Sequence, residues 1–173
     1  RGGSKSIPKK SIAPCAGHPL MWYTIKAAEK ARLITRLIIS TDDKEMADCA
    51  REYGVEVPFM RPSSLALDDT PDLPVFEHCL RFLKENGNYI PDIVVHLRPT
   101  SPLKKAADID RGIALLTGNA DADSVRAVCP TPYSPFKMYR IGKEGYLESF
   151  LAKEFPEVFE KYEPPYKRDG AGL

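Results

Sequence analysis

Long apolar runs are missing from this sequence. None approaches the roughly 20 residues that cross a bilayer, and no basic-then-apolar leader stands at its start, so no membrane partner is expected. An excess of one charge is missing too: 25 Lys and Arg stand against 24 Asp and Glu, a formal net of +1. That balance argues against a general nucleic-acid-coating protein and leaves any anion binding to local clusters. Cysteine is sparse. Cys15, Cys49, Cys79 and Cys129 lie far apart with no CxxC spacing, which disfavours zinc and favours reduced, mostly buried thiols in a cytoplasmic protein. The three histidines, His18, His78 and His96, are equally scattered and read as structural. No Walker A pattern occurs, which disfavours a P-loop kinase or GTPase. No internal repeat or low-complexity tract is present.

What is there is an ordinary globular composition, 43% hydrophobic and 28% charged over 173 residues, enough for one domain with a sizeable core. Residues 19–33 carry Leu20, Tyr23, Thr24, Ala27 and Ala31 at helical spacing behind Pro19. "RLIIS" follows as a short buried strand. "TDDKEMADCAREYG" predicts a helix with Asp42 as N-cap, Glu45 at the third helical position and Gly54 as stop. "VEVPF" is extended, "RPSSLALDDTPD" is loop, and residues 71–86 predict another helix. "DIVVHL" is a second buried strand broken by "PTSP". "AADIDRGIALLTG" is a helix ending at Gly118, and "DSVRAVCP" is a third strand. "FKMYRI", a Gly142–Gly145 turn and "YLESFL" then read as an antiparallel excursion, ahead of an irregular Pro- and Tyr-rich end.

Strand–helix alternation with near-continuous apolar strands implies an α/β protein with a mostly parallel sheet. Ligands of such sheets bind at the carboxyl ends of the strands. The loops to watch are therefore "STDD", "RPTSP" and "PTPYSP", together with the opening loop if a strand precedes it.

That opening, "RGGSKSIPKKSI", carries Arg1, Lys5, Lys9 and Lys10 and no acid, while Gly2, Gly3 and Pro8 keep it from being a helix. Glycines let backbone N–H groups approach an anion, and lysines and an arginine at mixed spacing reach different oxygens of a polyphosphate. On residue chemistry alone a phosphate-binding loop and a solvated charged terminus stand about equal. Asp42 and Asp43 read better as helix-opening carboxylates than as metal ligands.

The same stretch resembles the opening signature of the acylneuraminate cytidylyltransferases, which usually read like RGGSKGIPxKNI. "GHPLMWYTIKAA", "LIISTDD", "YGVEVPFMRPSSLALDD", "LRPTSPLKKAADID" and "ADSVRAV" follow in that family's order and spacing, so the likeness covers essentially residues 1–140. It implies a three-layer α/β/α, mostly parallel, nucleotide-diphospho-sugar-transferase-like (Rossmann-like) fold. Residues 1–173 would form a single nucleotidyltransferase domain lacking its first strand, expected ahead of Arg1, and its C-terminal part. Residues 130–152 would be an antiparallel dimerisation segment, and the protein a cytoplasmic homodimer.

The activity implied is transfer of CMP from CTP to the anomeric hydroxyl of a nonulosonic sugar acid, with release of pyrophosphate. Relatives acting on the eight-carbon acid Kdo share the fold and are the near alternative, together with transfer to another sugar from a different nucleotide. A nucleotide-binding module without turnover is the alternative of another class. By resemblance, Arg1, Lys5 and Lys10 are catalytic, and with Gly2, Gly3, Ser4, Ser11, Arg61 and Thr70 they bind the nucleotide. Arg61 would recognise the cytosine, whose O2 and N3 accept hydrogen bonds. Arg98, Thr100, Ser101 and Lys137 would form the sugar site. The family uses magnesium, and its metal aspartates are expected outside this chain, so no metal ligand is assigned here. Departures mark the sequence. Ser6 replaces a usual glycine, Ser11 a usual asparagine and Arg98 a usual glutamine, while Phe159 and Glu160 stand where some relatives carry an Arg-Gln pair. Arg98 suits a sugar carboxylate, a different sugar, or a plain ion pair with a nearby acid.

Overall fold

The computed structural model describes residues 2–130 and 138–149 and the backbone of Tyr166–Arg168. They divide into two compact units, split after Val125.

The first unit opens with the basic loop, a 3-10 turn at Lys10–Ile12 and a tight hairpin of β1 (Pro14–Cys15) and β2 (His18–Pro19). Ala16 and Gly17 turn that hairpin with positive φ, 44° and 87°. Helix α1 (Leu20–Lys30) follows directly, since Pro19 has no N–H to leave unsatisfied. Met21, Thr24, Ile25, Ala27 and Ala28 are buried at helical spacing. Of the expected stripe Thr24, Ala27 and Ala31 are buried, while Leu20 and Tyr23 are half-buried and the face is turned toward Met21, Ile25 and Ala28. One side of that stripe, Met21 and Ile25, packs with Met46, Ala50 and Val55. The other side, Ala27, packs with Ala31 and Ile109. Two small clusters thus share one helix.

Helix α2 (Lys44–Glu52) is capped by Asp43, whose Oδ1 accepts from the Met46 N–H at 3.0 Å. The cap falls one residue later than the expected Asp42, and the cause is local. The Asp43 N–H is held by the Thr41 hydroxyl at 3.2 Å, which turns the Asp43 carboxylate onto the helix end and leaves that of Asp42 for another donor. Gly54 closes this segment at φ 77°, a conformation open to glycine at low cost. Helix α3 (Asp72–Gly87) ends on Asn88 in the left-handed region, and α4 (Ala106–Thr117) ends at Gly118, both close to their expected positions.

The extended runs differ more from expectation. Residues 36–41 and 55–61 run side by side through two single parallel bridges, Ile38 with Glu56 and Thr41 with Met60. A bidentate pair of Arg36 with Glu56, at 2.9 and 2.6 Å, fixes their register, and the guanidinium holds the Glu56 carboxyl below its ordinary value. "DIVVHL" joins no ladder among the described residues. A ladder needs a neighbour on its hydrogen-bonding edge. Here the run is placed by its side chains instead: Val95 and Leu97 pack on the α1–α4 cluster, and His96 meets Phe76 of α3 edge-on. His78 likewise meets Phe59, and His18 stacks on Trp22 at 3.8 Å, so each histidine packs on an aromatic ring. The cysteines are half-buried rather than buried, all four free, and burial pushes the Cys49 and Cys79 thiols up.

The second unit holds β3 (Val128–Pro130), β4 (Tyr139–Ile141), β5 (Leu147–Ser149) and β6 (Tyr166–Arg168). "DSVRAVCP" contributes only its last three residues as strand, and these pair antiparallel with β6. β4 and β5 form the expected hairpin across Gly142–Gly145, with Gly145 at φ 81°. Phe136, Lys137 and most of the last stretch lie outside the described residues.

The α1-to-strand connection is tied to α4 by one side chain. The Asp110 carboxylate accepts from the Arg32 N–H at 3.0 Å and the Leu33 N–H at 2.9 Å, and these bonds lower its pKa from the ordinary 3.8. A depressed carboxylate pKa adds stability that is complete above the unfolded value and is lost as pH falls through the folded one. Asp110→Asn is therefore expected to melt at a lower temperature than the parent protein at neutral pH, with the gap closing below pH 3.8. Thermal melts across pH check this, and a gap independent of pH would contradict it.

Candidate active site

The opening loop crosses the carboxyl ends of the parallel pair. Its anchor is the Gly2 N–H, which donates to Asp42 Oδ1 at 3.0 Å across 40 residues. Gly2 is required by space as well as by flexibility. A Cβ there would lie 2.6 Å from Asp43 Oδ2, on the side chain that caps α2. Gly3, by contrast, faces open space. The Ser4 N–H turns back to the Gly2 carbonyl at 2.9 Å. Further along, Lys9 takes a left-handed φ of 49° and Lys10 opens the 3-10 turn that contains Ser11.

The cations of the loop meet carboxylates from two different elements. Lys5, whose side chain is 82% exposed, pairs with Asp68 in the loop after residue 61. Lys9 pairs with Glu45 in the first turn of α2, and that carboxylate raises the pKa of the ammonium. Lys10 makes no ion pair among the described residues, and Arg1 lies outside them.

Arg61 enters the same edge from the other strand. Its main-chain N–H donates to the Thr41 carbonyl at 2.8 Å, and its guanidinium donates to the Ser40 hydroxyl at 3.0 Å and to the Ser40 carbonyl. A planar fork spends itself well on a neighbouring carbonyl and hydroxyl, so this contact closes the two strand ends against each other. Thr70 is half-buried in the turn that ends the same loop, its N–H 3.4 Å from the Leu67 carbonyl.

A second group forms beyond "DIVVHL". The Arg98 guanidinium pairs with Asp72 in the first turn of α3. Its carbonyl accepts from the Lys104 ammonium at 2.8 Å and the Ser101 N–H at 3.2 Å, and Lys104 also donates to the Ser101 carbonyl at 2.9 Å. Thr100 is exposed on this turn and Ser101 half-buried. Lys137 lies outside the described residues.

The structure thus brings Gly2 and Arg61 to residues 40–42 at the carboxyl end of the parallel pair, with Ser4 and Lys5 following Gly2 in the loop, and Arg98, Thr100 and Ser101 to one turn. Residues 61–72 touch both groups, through Arg61, Asp68 and Asp72. The sequence reading missed Asp42 as the tether, Asp68 and Asp72 as partners, and Lys104 as the clamp of the turn. The available signal was charge complementarity: "LALDD" is an acidic loop in a chain that opens with a wholly basic one. As for a divalent metal, no group of three His, Cys, Asp or Glu gathers among the described residues. Asp43 is spent on a helix end, and Asp68 and Asp72 meet cations. These side chains do not make a magnesium site by themselves.

The family model of the cytidylyltransferases matches residues 1–146. The chain belongs to this family. Among similar cytidylyltransferases, the CMP-N,N'-diacetyllegionaminic acid synthase of Legionella pneumophila is 34% identical over 173 residues, 99% of this chain and 72% of that protein. The pseudaminic acid cytidylyltransferase of Campylobacter jejuni is 36% identical over 103 residues, 60% of this chain and 44% of that protein. Among solved structures, a CMP:2-keto-3-deoxy-manno-octonic acid synthetase complexed with CTP shares the fold. It matches with a TM-score of 0.56 and 15% identity, over 75% of this chain and 47% of that one.

Gly2→Ala tests the anchor without any ligand. The added methyl must push the loop from Asp42 or the cap from α2, a strain of about 1–3 kcal/mol. Tryptic cleavage after Lys5 is expected to accelerate by about tenfold or more, the factor that roughly 1.4 kcal/mol of local opening gives. Cleavage at the parent rate would contradict the anchor.

Proposed function

We propose that this protein transfers CMP from CTP to the anomeric hydroxyl of a nonulosonic, sialic-acid-like sugar acid and releases pyrophosphate. The observation that carries the reading is the wholly basic opening loop, tethered by its Gly2 amide to Asp42 at the carboxyl edge of the parallel pair, in a member of the cytidylyltransferase family. Support for the acceptor comes from the names of the similar proteins, which include legionaminic, pseudaminic and neuraminic acid enzymes.

In this reading the anomeric oxygen attacks the α-phosphorus, the bond from that phosphorus to the oxygen bridging the β-phosphorus breaks, and pyrophosphate leaves in line. The hydroxyl proton passes to solvent. The protein contributes position and charge rather than covalent chemistry. Lys5 exchanges Asp68 for phosphate oxygens. Lys10 and Arg1 add further positive charge. The loop's backbone N–H groups approach the phosphates where Gly3 leaves open space. Arg61 braces the edge on which the cytosine lies. The family resemblance implies magnesium, but the described side chains of this chain do not by themselves hold it.

The fold proposed around the site is a three-layer α/β/α sandwich with a mostly parallel sheet. Its support is the two parallel bridges, the packing of Val95 and Leu97 under α1 and α4, and the contact of His96 with α3. A homodimer formed through the β4–β5 hairpin fits the exposed Tyr139, Ile141, Tyr146 and Leu147. A cytoplasmic setting fits four free thiols.

The test is pyrophosphate release from CTP with a panel of sugar acids, with ATP, GTP and UTP alongside. Release with CTP and a nine-carbon acid is expected, and Lys5→Ala should lower kcat/KM by about 10²-fold. Release with Kdo alone would move the acceptor to the eight-carbon class. Tight CTP binding with no release from any acid would make the protein a nucleotide-binding module.

A further inference from the structure

Arg98 is held at both ends. Its carbonyl is fixed by the Lys104 ammonium and the Ser101 N–H, so the turn that carries it is rigid. Its guanidinium is fixed by Asp72, 26 residues earlier in sequence and on a different element. Asp72 stands in the first turn of α3, where a carboxylate ordinarily serves its own helix. Here it meets Arg98 and no backbone N–H among the described residues. The two side chains are 43% and 52% exposed, so the pair faces outward from the carboxyl end of "DIVVHL" and is not packed into the core. A half-exposed ion pair adds little to stability. What it does change is direction: a long, rotamer-rich side chain acquires one orientation.

A guanidinium is a planar fork with N–H donors on more than one edge. Asp72 takes one terminal nitrogen, Nη2. The Nε and Nη1 donors meet no other partner among the described residues, which leaves an edge for a second carboxylate. We infer that Asp72 is a positioning residue of the acceptor site: it aims the Arg98 guanidinium so that its open edge receives the carboxylate of the sugar acid. This rests on the acceptor being an acid, as proposed above.

Positioning and charge predict opposite effects of removing Asp72, which makes the inference testable. If Asp72 only competed with the substrate for Arg98, its loss would lower the KM for the acid. If it aims Arg98, its loss raises that KM. The experiment is steady-state pyrophosphate release by the parent protein, Asp72→Ala, Asp72→Asn, Arg98→Gln and the Asp72→Ala/Arg98→Gln pair, with thermal melts of each. Asp72→Ala is expected to raise the KM for the sugar acid by about tenfold, the scale of a misplaced contact, with the KM for CTP unchanged. Asp72→Asn keeps an acceptor for Arg98 and should restore most of the loss. In the Arg98→Gln background Asp72→Ala should have no further effect, because the residue it acts through is gone. An unchanged or lowered KM in Asp72→Ala would overturn the inference. So would a parallel rise in both substrates' KM values, or losses that add in the pair. If the parent protein releases no pyrophosphate with any acid, the acceptor reading itself falls and the role of Asp72 with it.

Discussion

One hydrogen bond organises the functional edge of this protein: the Gly2 amide on the Asp42 carboxylate. Asp42 is available because its neighbour is not. Asp43 caps α2, and the Thr41 hydroxyl holds the Asp43 amide. Two adjacent aspartates in "STDD" therefore do two jobs, one closing a helix and the other seating a distant loop. Neither job tolerates a bulkier residue at position 2, where the space beside Asp43 is filled. The glycine at the start of the basic loop is thus a matter of close approach, and it places Lys5 and Lys9 within reach of Asp68 and Glu45.

Those pairs partly neutralise the basic loop. A carboxylate from the loop after residue 61 occupies Lys5, which the proposed chemistry needs for phosphate, and one from α2 occupies the neighbouring Lys9. Exposed pairs of this kind contribute roughly 0–1 kcal/mol each, so the proposed triphosphate, with several negative oxygens, would displace them at small cost. The loop of residues 61–72 is the common element. It braces the strand edge through Arg61, covers Lys5 through Asp68 and orients Arg98 through Asp72. The proposed nucleotide and acceptor groups thus both meet one short, proline-bounded segment.

The helices were legible because their signals are local. Apolar spacing in α1, the stop at Gly54 and the end at Gly118 all act within a turn or two of the residue concerned. The cap of α2 falls one residue later than expected because two adjacent aspartates offer the same capping chemistry, and the Thr41 hydroxyl on the Asp43 N–H decides between them. The strands were legible as extended segments but neither as ladders nor as buried runs. Pairing depends on a neighbour that the run itself does not encode, and the residues of "RLIIS", "DIVVHL" and "DSVRAVCP" are half-buried or exposed. For the site, ordered motifs carried the family, and the basic loop carried the anion chemistry. Asp68, Asp72 and Lys104 could not be singled out. Each acts on a residue in another segment or on a backbone carbonyl, and charge complementarity between "LALDD" and the basic opening names a pair of segments without naming which side chains meet. Arg98 shows the reverse case: an ion pair with a nearby acid was one of the readings left open, and Asp72 is that acid.

In the proposed function the opening loop is the seat of a cytidine triphosphate. Calorimetric titration of the protein with CTP, and with GTP as the control, addresses it most directly. Binding of CTP that weakens by about tenfold or more when Lys5 and Lys10 are both alanine, with no comparable binding of GTP, is the predicted result. Affinity for CTP that is indifferent to both lysines would place the triphosphate elsewhere and contradict the claim.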